Sequence, residues 1–157
     1  MSGPPVLSVF LAGEPVACPR PRASSPAGRG GRARIYMPQR YTRWKRDAVL
    51  ILRSRWGHHE PIPMAVAVAV EVVLPRPQRR PSSGLGREYW TADEDYPAPV
   101  GGSWGDLDNY VKSALDALQE ARIIRDDSLV VELTATKQAG TQPGIHLTLS
   151  IVHPETA

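Results

Sequence analysis

The chain has one cysteine, Cys18, and one phenylalanine among 157 residues, and it has no long apolar run. A single cysteine excludes an internal disulfide, and without a His or Asn pattern nearby it gives no sign of a thiol nucleophile. No stretch approaches the roughly 18 apolar residues that a membrane-crossing helix needs. Met1 to Pro5 shows neither the basic start nor the apolar centre of a secretory leader, so a reducing, cytoplasmic setting is expected. Acids are nearly missing from the front of the chain. Between Arg20 and Arg55 there are eleven basic residues and one acid, Asp47. The acidic residues lie mostly after Glu88. That asymmetry fits a chain that holds a polyanion with one part and a cation with another. Arginine greatly outnumbers lysine, which favours forked phosphate contacts. A GC-rich coding sequence would also raise arginine, but it would not cluster it.

The elements that are present suit one domain over residues 1–157, long enough to bury a core without staples. Val6 to Ala12 is a short apolar run between Pro5 and Gly13 and is expected to be a strand. Residues 15–38 are rich in proline and glycine and are expected to be irregular, with a brief extended piece at Ile35 to Met37. From about Arg40 to His58, Tyr41, Trp44, Ala48, Ile51 and Leu52 recur at helical spacing. Met64 to Leu74 is a valine-rich strand. Residues 76–105 form a second irregular segment, of a length that is usually functional or disordered. Asp108 to Arg122 carries a second apolar stripe, through Leu107, Val111, Ala114, Leu115 and Leu118. Leu129 to Lys137 and Ile145 to Val152 alternate as strands, separated by a Gly-Thr-Gln-Pro-Gly turn. The expected order is β-α-β-loop-α-β-β. The fold class is α+β, with a small mixed sheet carrying two helices on one face.

The chemistry concentrates after Gly105. Asp106 and Asp108 flank Leu107, and Asn109 follows. One aspartate suffices to cap a helix, which acids at that position stabilise by roughly 0.3–1 kcal/mol. Two on one side of an extended lead-in are placed to share a cation. Asp108, Lys112, Asp116 and Gln119 then fall on one helical face, a spacing that also suits a solvated ladder of ion pairs. Asp126-Asp127 precedes the next strand. If the chain turns back so that this strand starts beside the helix start, the carboxylates converge. Such a cluster stays ionised at neutral pH only around a cation. Oxygen-only ligands suit Mg²⁺ or Mn²⁺ rather than zinc.

The run Asp106-Leu-Asp-Asn-Tyr-Val-Lys-Ser-Ala-Leu-Asp-Ala-Leu118, followed by Ile124-Arg-Asp-Asp-Ser-Leu-Val-Val131, resembles the core signature of the RusA-type Holliday junction resolvases. Pro19 to Arg22, Arg34 to Tyr36 and Leu74 to Pro77 extend the likeness over most of the chain. The resemblance implies a bacterial or phage-encoded homodimer, dependent on Mg²⁺ or Mn²⁺, that nicks opposed strands of a branched, four-way DNA junction. By position it makes Asp106, Asp108 and Asp127 metal ligands and Lys112 a catalytic lysine. Asp126 is an alternative ligand beside Asp127 in that set. Where relatives carry a His or basic residue upstream, this chain has Gly102 to Gly105, and residues 81–102 look expanded. Phosphate contacts are expected from Arg20, Arg22, Arg34, Arg43, Arg46, Arg76 and Arg79. Trp90 and Trp104 are candidates for unstacking bases, although a loop tryptophan more often packs on its own domain. His58, His59, His146 and His153 have no ligand spacing. Two other classes compete: a basic DNA-binding module without catalysis, and a Mg²⁺-dependent phosphodiesterase acting on flaps or other nucleic acids.

Overall fold

Alternation of side chains along the strands decides where the core lies. The computed structural model describes residues 2–20, 22–23, 35–76, 96–97 and 104–153. In order, its elements are β1 (Ser2–Ala12), β2 (Arg22–Ala23), β3 (Ile35–Tyr36), α1 (Gln39–Trp56), β4 (Val66–Pro75), β5 (Tyr96–Pro97), α2 (Leu107–Glu120), a 3-10 turn (Asp127–Leu129), β6 (Val130–Gly140) and β7 (Gly144–Val152). Leu7, Val9 and Leu11 of β1, alternate valines from Val66 to Val72 of β4, and Ile145, Leu147 and Leu149 of β7 are all buried. They form one sheet face. Tyr110, Val111, Ala114, Ala117 and Leu118 of α2 and Ala48, Val49 and Leu52 of α1 close the same core. Fully burying a leucine of this kind contributes about 1.5–3 kcal/mol. The architecture is α+β, with two helices on a mixed sheet.

The sheet order is β1-β7-β4-β6-β5. β7 runs antiparallel to both β1 and β4, whereas β6 runs parallel to β4. Although consecutive and joined by a short turn, β6 and β7 do not pair with each other. They lie on opposite sides of β4. The parallel partnership begins before β6, where Ile62 pairs with Ile124 and the Ile62 amide donates to the Ile123 carbonyl at 2.8 Å. Parallel neighbours need a crossover connection, and α2 is the helix within it.

β1 extends four residues further back than the apolar run suggests, through Pro4 and Pro5. It can do so because it is a sheet edge, where proline's missing N–H costs no ladder bond, and the register shifts around Pro5. Residues 15–20 are irregular as expected, and β2 and β3 form a two-residue ladder. Most of the 76–105 segment lies outside the described residues. No helix among the described residues is long and apolar enough to cross a membrane.

α2 stops by a Schellman arrangement. The Ile123 amide donates to the Leu118 carbonyl and the Arg122 amide to the Gln119 carbonyl, both at 3.0 Å. Ile123 and Leu118, the apolar pair of that motif, are both fully buried. The left-handed position falls on Arg122, with φ of 61°. A side chain there is strained where glycine is not. Arg122→Gly is expected to stabilise the fold by about 0.5–1 kcal/mol, raising Tm by about 1–4 °C in a thermal melt.

Candidate active site

Asp106 is the N-cap residue of α2, in extended conformation, and Asp108 lies within the first helical turn. The Asp106 side chain makes no capping hydrogen bond. Its carbonyl instead receives the Asn109 and Tyr110 amides at 3.2 and 3.4 Å. Both carboxylates are exposed. Neither has an ion pair or side-chain hydrogen bond to another described residue, although a helix N-terminus favours negative charge. The expected extended lead-in applies to Asp106 alone.

The backbone before this pair is held tightly. Gly105 has φ of 71°, and a Cβ there would sit 3.1 Å from the Ala17 Cβ and 3.3 Å from the Tyr110 ring. The Tyr110 hydroxyl donates to the Trp104 carbonyl at 2.6 Å. The Lys137 ammonium, reaching from β6, donates to the Gly105 carbonyl at 2.7 Å. Residues 16–18 lie along the first turns of α2. There the Cys18 amide donates to the Asn109 carbonyl at 2.9 Å, and the Ser113 hydroxyl donates to the Val16 carbonyl at 2.7 Å.

Lys112 pairs with Asp116, one turn further on, at 3.4 Å. Asp116 is more than a rung in a solvated ladder. Its other carboxylate oxygen accepts the hydroxyl of buried Tyr41 on α1 at 2.8 Å. Burial, and then the bond to Asp116, push the Tyr41 phenol well above its ordinary pKa, so it remains a donor. The thiol of buried Cys18 lies 4.0 Å from the same oxygen, a packing role consistent with an incidental cysteine.

Asp126 and Asp127 are adjacent but behave differently. Asp126 is the N-cap of the 3-10 turn. It accepts the Ser128 amide at 2.9 Å and the Gln119 side chain at 3.4 Å. The hydroxyl of Ser128 first, and its backbone amide second, hold the Asp126 carboxyl below the usual range. Asp127 is exposed and makes no such bond among the described residues. The resemblance favoured Asp127 as the ligand, and the geometry gives Asp126 a structural task instead.

The expected convergence within one chain does not occur. Lys137, late in β6, touches the start of α2, whereas Asp126, just before β6, touches Gln119 near the end of α2. Strand and helix therefore run in opposite directions. Eleven helical steps of 1.5 Å put roughly 16 Å between Asp108 and Gln119. Asp106 and Asp108 lie at one end of α2 and Asp127 beyond the other. Accordingly, no three Asp, Glu, His or Cys side chains among the described residues come close enough to hold one metal ion.

The basic residues separate in a similar way. On α1, Arg40 pairs with Glu14 at 2.6 Å, Lys45 with Glu120 at 2.8 Å and Arg46 with Asp47 at 3.1 Å. Arg53 donates to the Glu120 carbonyl at 2.9 Å. Arg46 is thus partly engaged, and half-buried Arg76 is engaged within the chain. Arg20 and Arg43 are exposed without an internal partner among the described residues. The side chain of Arg22, and all of Arg34, Arg79 and Trp90, lie outside the described residues. Arg125, beside Asp127, is exposed and was not singled out from sequence. Trp104 packs against the core, and His146 stacks on Phe10 at 4.4 Å, so neither adds to a site. A groove of about 250 Å³ between the end of β1 and α1, lined by Leu11, Trp44, Asp47 and Ile51 among others, includes none of Asp106, Asp108, Asp116, Asp126 and Asp127.

Asp126 has a testable pH signature. Its folded value lies below the unfolded one, so its contribution to stability is fully present above about pH 4 and is lost as pH falls through the folded value. Asparagine also caps but does not titrate. The Tm difference between wild type and Asp126→Asn is expected to stay constant from neutral pH to about 5 and to shrink below about 4. A difference that does not change with pH would remove the electrostatic assignment.

Two comparisons of sequence set the chain beside known proteins. A protein of Bacillus subtilis (strain 168), described as "Uncharacterized protein YqaN", is 30% identical over 136 residues, covering 86% of this chain and 89% of its own length. The family model described as "Endodeoxyribonuclease RusA" matches residues 12–150, a span that includes both helices and every aspartate discussed above. With the Asp-x-Asp pair at the start of α2, Lys112 one turn on and the acidic doublet before β6 all inside that match, the chain belongs to the RusA endodeoxyribonuclease family.

Proposed function

We propose that this chain is a Mg²⁺- or Mn²⁺-dependent endonuclease that resolves four-way DNA junctions as a homodimer, by paired symmetrical nicks. The observation that carries the reading is the pair of exposed carboxylates, Asp106 and Asp108, unpartnered among the described residues, on a braced turn at a helix start. Hard oxygen donors in this number fit a hydrated Mg²⁺, which is commonly held by one or two carboxylates and several waters. When bound there, the ion polarises the scissile phosphate and activates a water. Lys112, one turn along, offers its exposed ammonium to the charge that builds on the phosphate. Asp116 holds that ammonium from behind, and Tyr41 holds Asp116. Arg20 and Arg43, with the further arginines of the front half, supply phosphate contacts that position the DNA without reading its sequence.

Asp127 enters this scheme through a second copy. Within one chain it lies at the wrong end of α2 to meet Asp106 and Asp108. In a two-fold dimer whose α2 helices lie antiparallel, the end of one helix meets the start of the other. Each site would then take its Asp-x-Asp pair from one chain and Asp127 from its partner. Two equivalent sites related by a two-fold axis match the two-fold symmetry of a junction and give nicks in opposed strands.

Asp108→Asn and Asp127→Asn are each expected to lose cleavage by roughly a thousandfold or more while still binding a synthetic junction. Mixed dimers of the two variants, isolated through two different tags, would retain one intact site if the sites are shared and none if they are not. The expected product is a single nick in the junction, with little cutting of flap or linear duplex. Silent mixed dimers would overturn the shared site. Equal cleavage by wild type and Asp108→Asn across a Mg²⁺ titration would overturn the metal assignment.

A further inference from the structure

We infer that Lys137 is a positioning residue for the metal-binding turn: its ammonium braces the peptide that delivers Asp106 and Asp108. The inference rests on the metal-dependent reading above and deepens it. Lys137 occupies an apolar place. On β6, Leu133, Ala135, Lys137 and Ala139 pair in register with the inward residues Val68, Val70, Val72 and Leu74 of β4. Leu133 is exposed, Ala135 and Lys137 are half-buried and Ala139 is buried, so a charge interrupts an otherwise apolar series. Its neighbour in register on β4 is Val72, itself paired with Ile145 of β7, and both are fully buried. An ammonium is tolerated there because the four-carbon stem covers apolar surface while the head reaches the open end of the layer. At that end it donates to the Gly105 carbonyl at 2.7 Å.

The location of this bond gives it consequence. Gly105 is left-handed and immediately precedes the N-cap, Asp106. The carbonyls of Trp104 and Gly105 are each held by a side chain, Tyr110 and Lys137 respectively. Gly105 is itself wedged beside Ala17 and Tyr110. Asp106 and Asp108 have no side-chain partner of their own among the described residues, so their direction depends on how the backbone under them is braced. Without that brace the cation must order the turn itself, against the backbone entropy of the loosened residues. Outer partners of metal ligands typically alter affinity by about 10–100-fold when lost.

Positioning and simple charge predict opposite signs. A nearby ammonium repels a cation, so if Lys137 acted only through its charge, its removal would tighten metal binding. If it acts by bracing Gly105, removal weakens binding. The test uses the full chain, with Mn²⁺ alone as probe, free metal followed by electron paramagnetic resonance, and backbone amide order parameters measured without metal. Lys137→Met keeps the stem and removes donor and charge. It is expected to weaken Mn²⁺ binding about tenfold and to lower the order parameters of Gly105 to Asp108, with α1 unchanged. Lys137→Arg, which keeps a donor, is expected to restore both. If Lys137→Met does not fold, Lys137→Thr, a good strand former too short to reach Gly105, takes its place.

Unchanged order parameters in the folded variant would overturn the inference, as would unchanged or tighter Mn²⁺ binding beside measurable wild-type binding. If the wild type itself binds no Mn²⁺ and cuts no junction, the metal-dependent reading fails. The order parameters still decide whether Lys137 braces the turn.

Discussion

The parallel pairing of β6 with β4 is the constraint on which the rest of the molecule depends. A parallel neighbour must be reached by a crossover, and here α2 travels back along the sheet before β6 begins. The ladder from Val66 to Pro75 against Val130 to Gly140 sets where each end of α2 lies relative to β6. It brings Lys137 to the helix start and leaves Asp126 and Asp127 at the helix end. A hairpin between β6 and β7 would have removed this geometry. β4 lies between them because its alternate valines, from Val66 to Val72, and the inward residues of β7 complete one apolar face.

From that arrangement follows a division of labour among the acids. Asp116 and Asp126 are tied into the fold, the first by Tyr41 and Lys112, the second by Ser128 and Gln119. Asp106, Asp108 and Asp127 are left exposed and unpartnered among the described residues. A carboxylate with no partner on a braced backbone adds little to folding, and it is available to a cation. The basic residues divide similarly, since several α1 cations balance nearby acids and only some face outward without a partner. Counting charges along the chain overstates how many remain for a polyanion.

Much of the fold was legible in the residues themselves. Alternating valines and leucines marked the long strands, three- and four-residue spacing marked both helices, and proline and glycine marked the irregular stretch at residues 15–20. The boundaries moved only where local chemistry allowed, as at Pro4 and Pro5 on an edge strand. The Asp-x-Asp pair, Lys112 and the acidic doublet were equally legible, because their residue types and spacing are local properties. Lys137 carried a signal too, as a charge at an inward position of an alternating strand, but what it touches lies 32 residues away.

By itself, then, the sequence determined the main helices and strands and the α+β class, through periodicity, and the candidate acids, through spacing over a short stretch. The resemblance to a family added Lys112 and the preference for Asp127. Only the tertiary structure decided strand order, and with it which acids are neighbours. Spacing of 21 residues between Asp106 and Asp127 is compatible with contact or with separation, depending on the direction of β6 relative to α2. That direction comes from long-range pairing with β4, a choice made by the whole apolar face rather than by residues near the site.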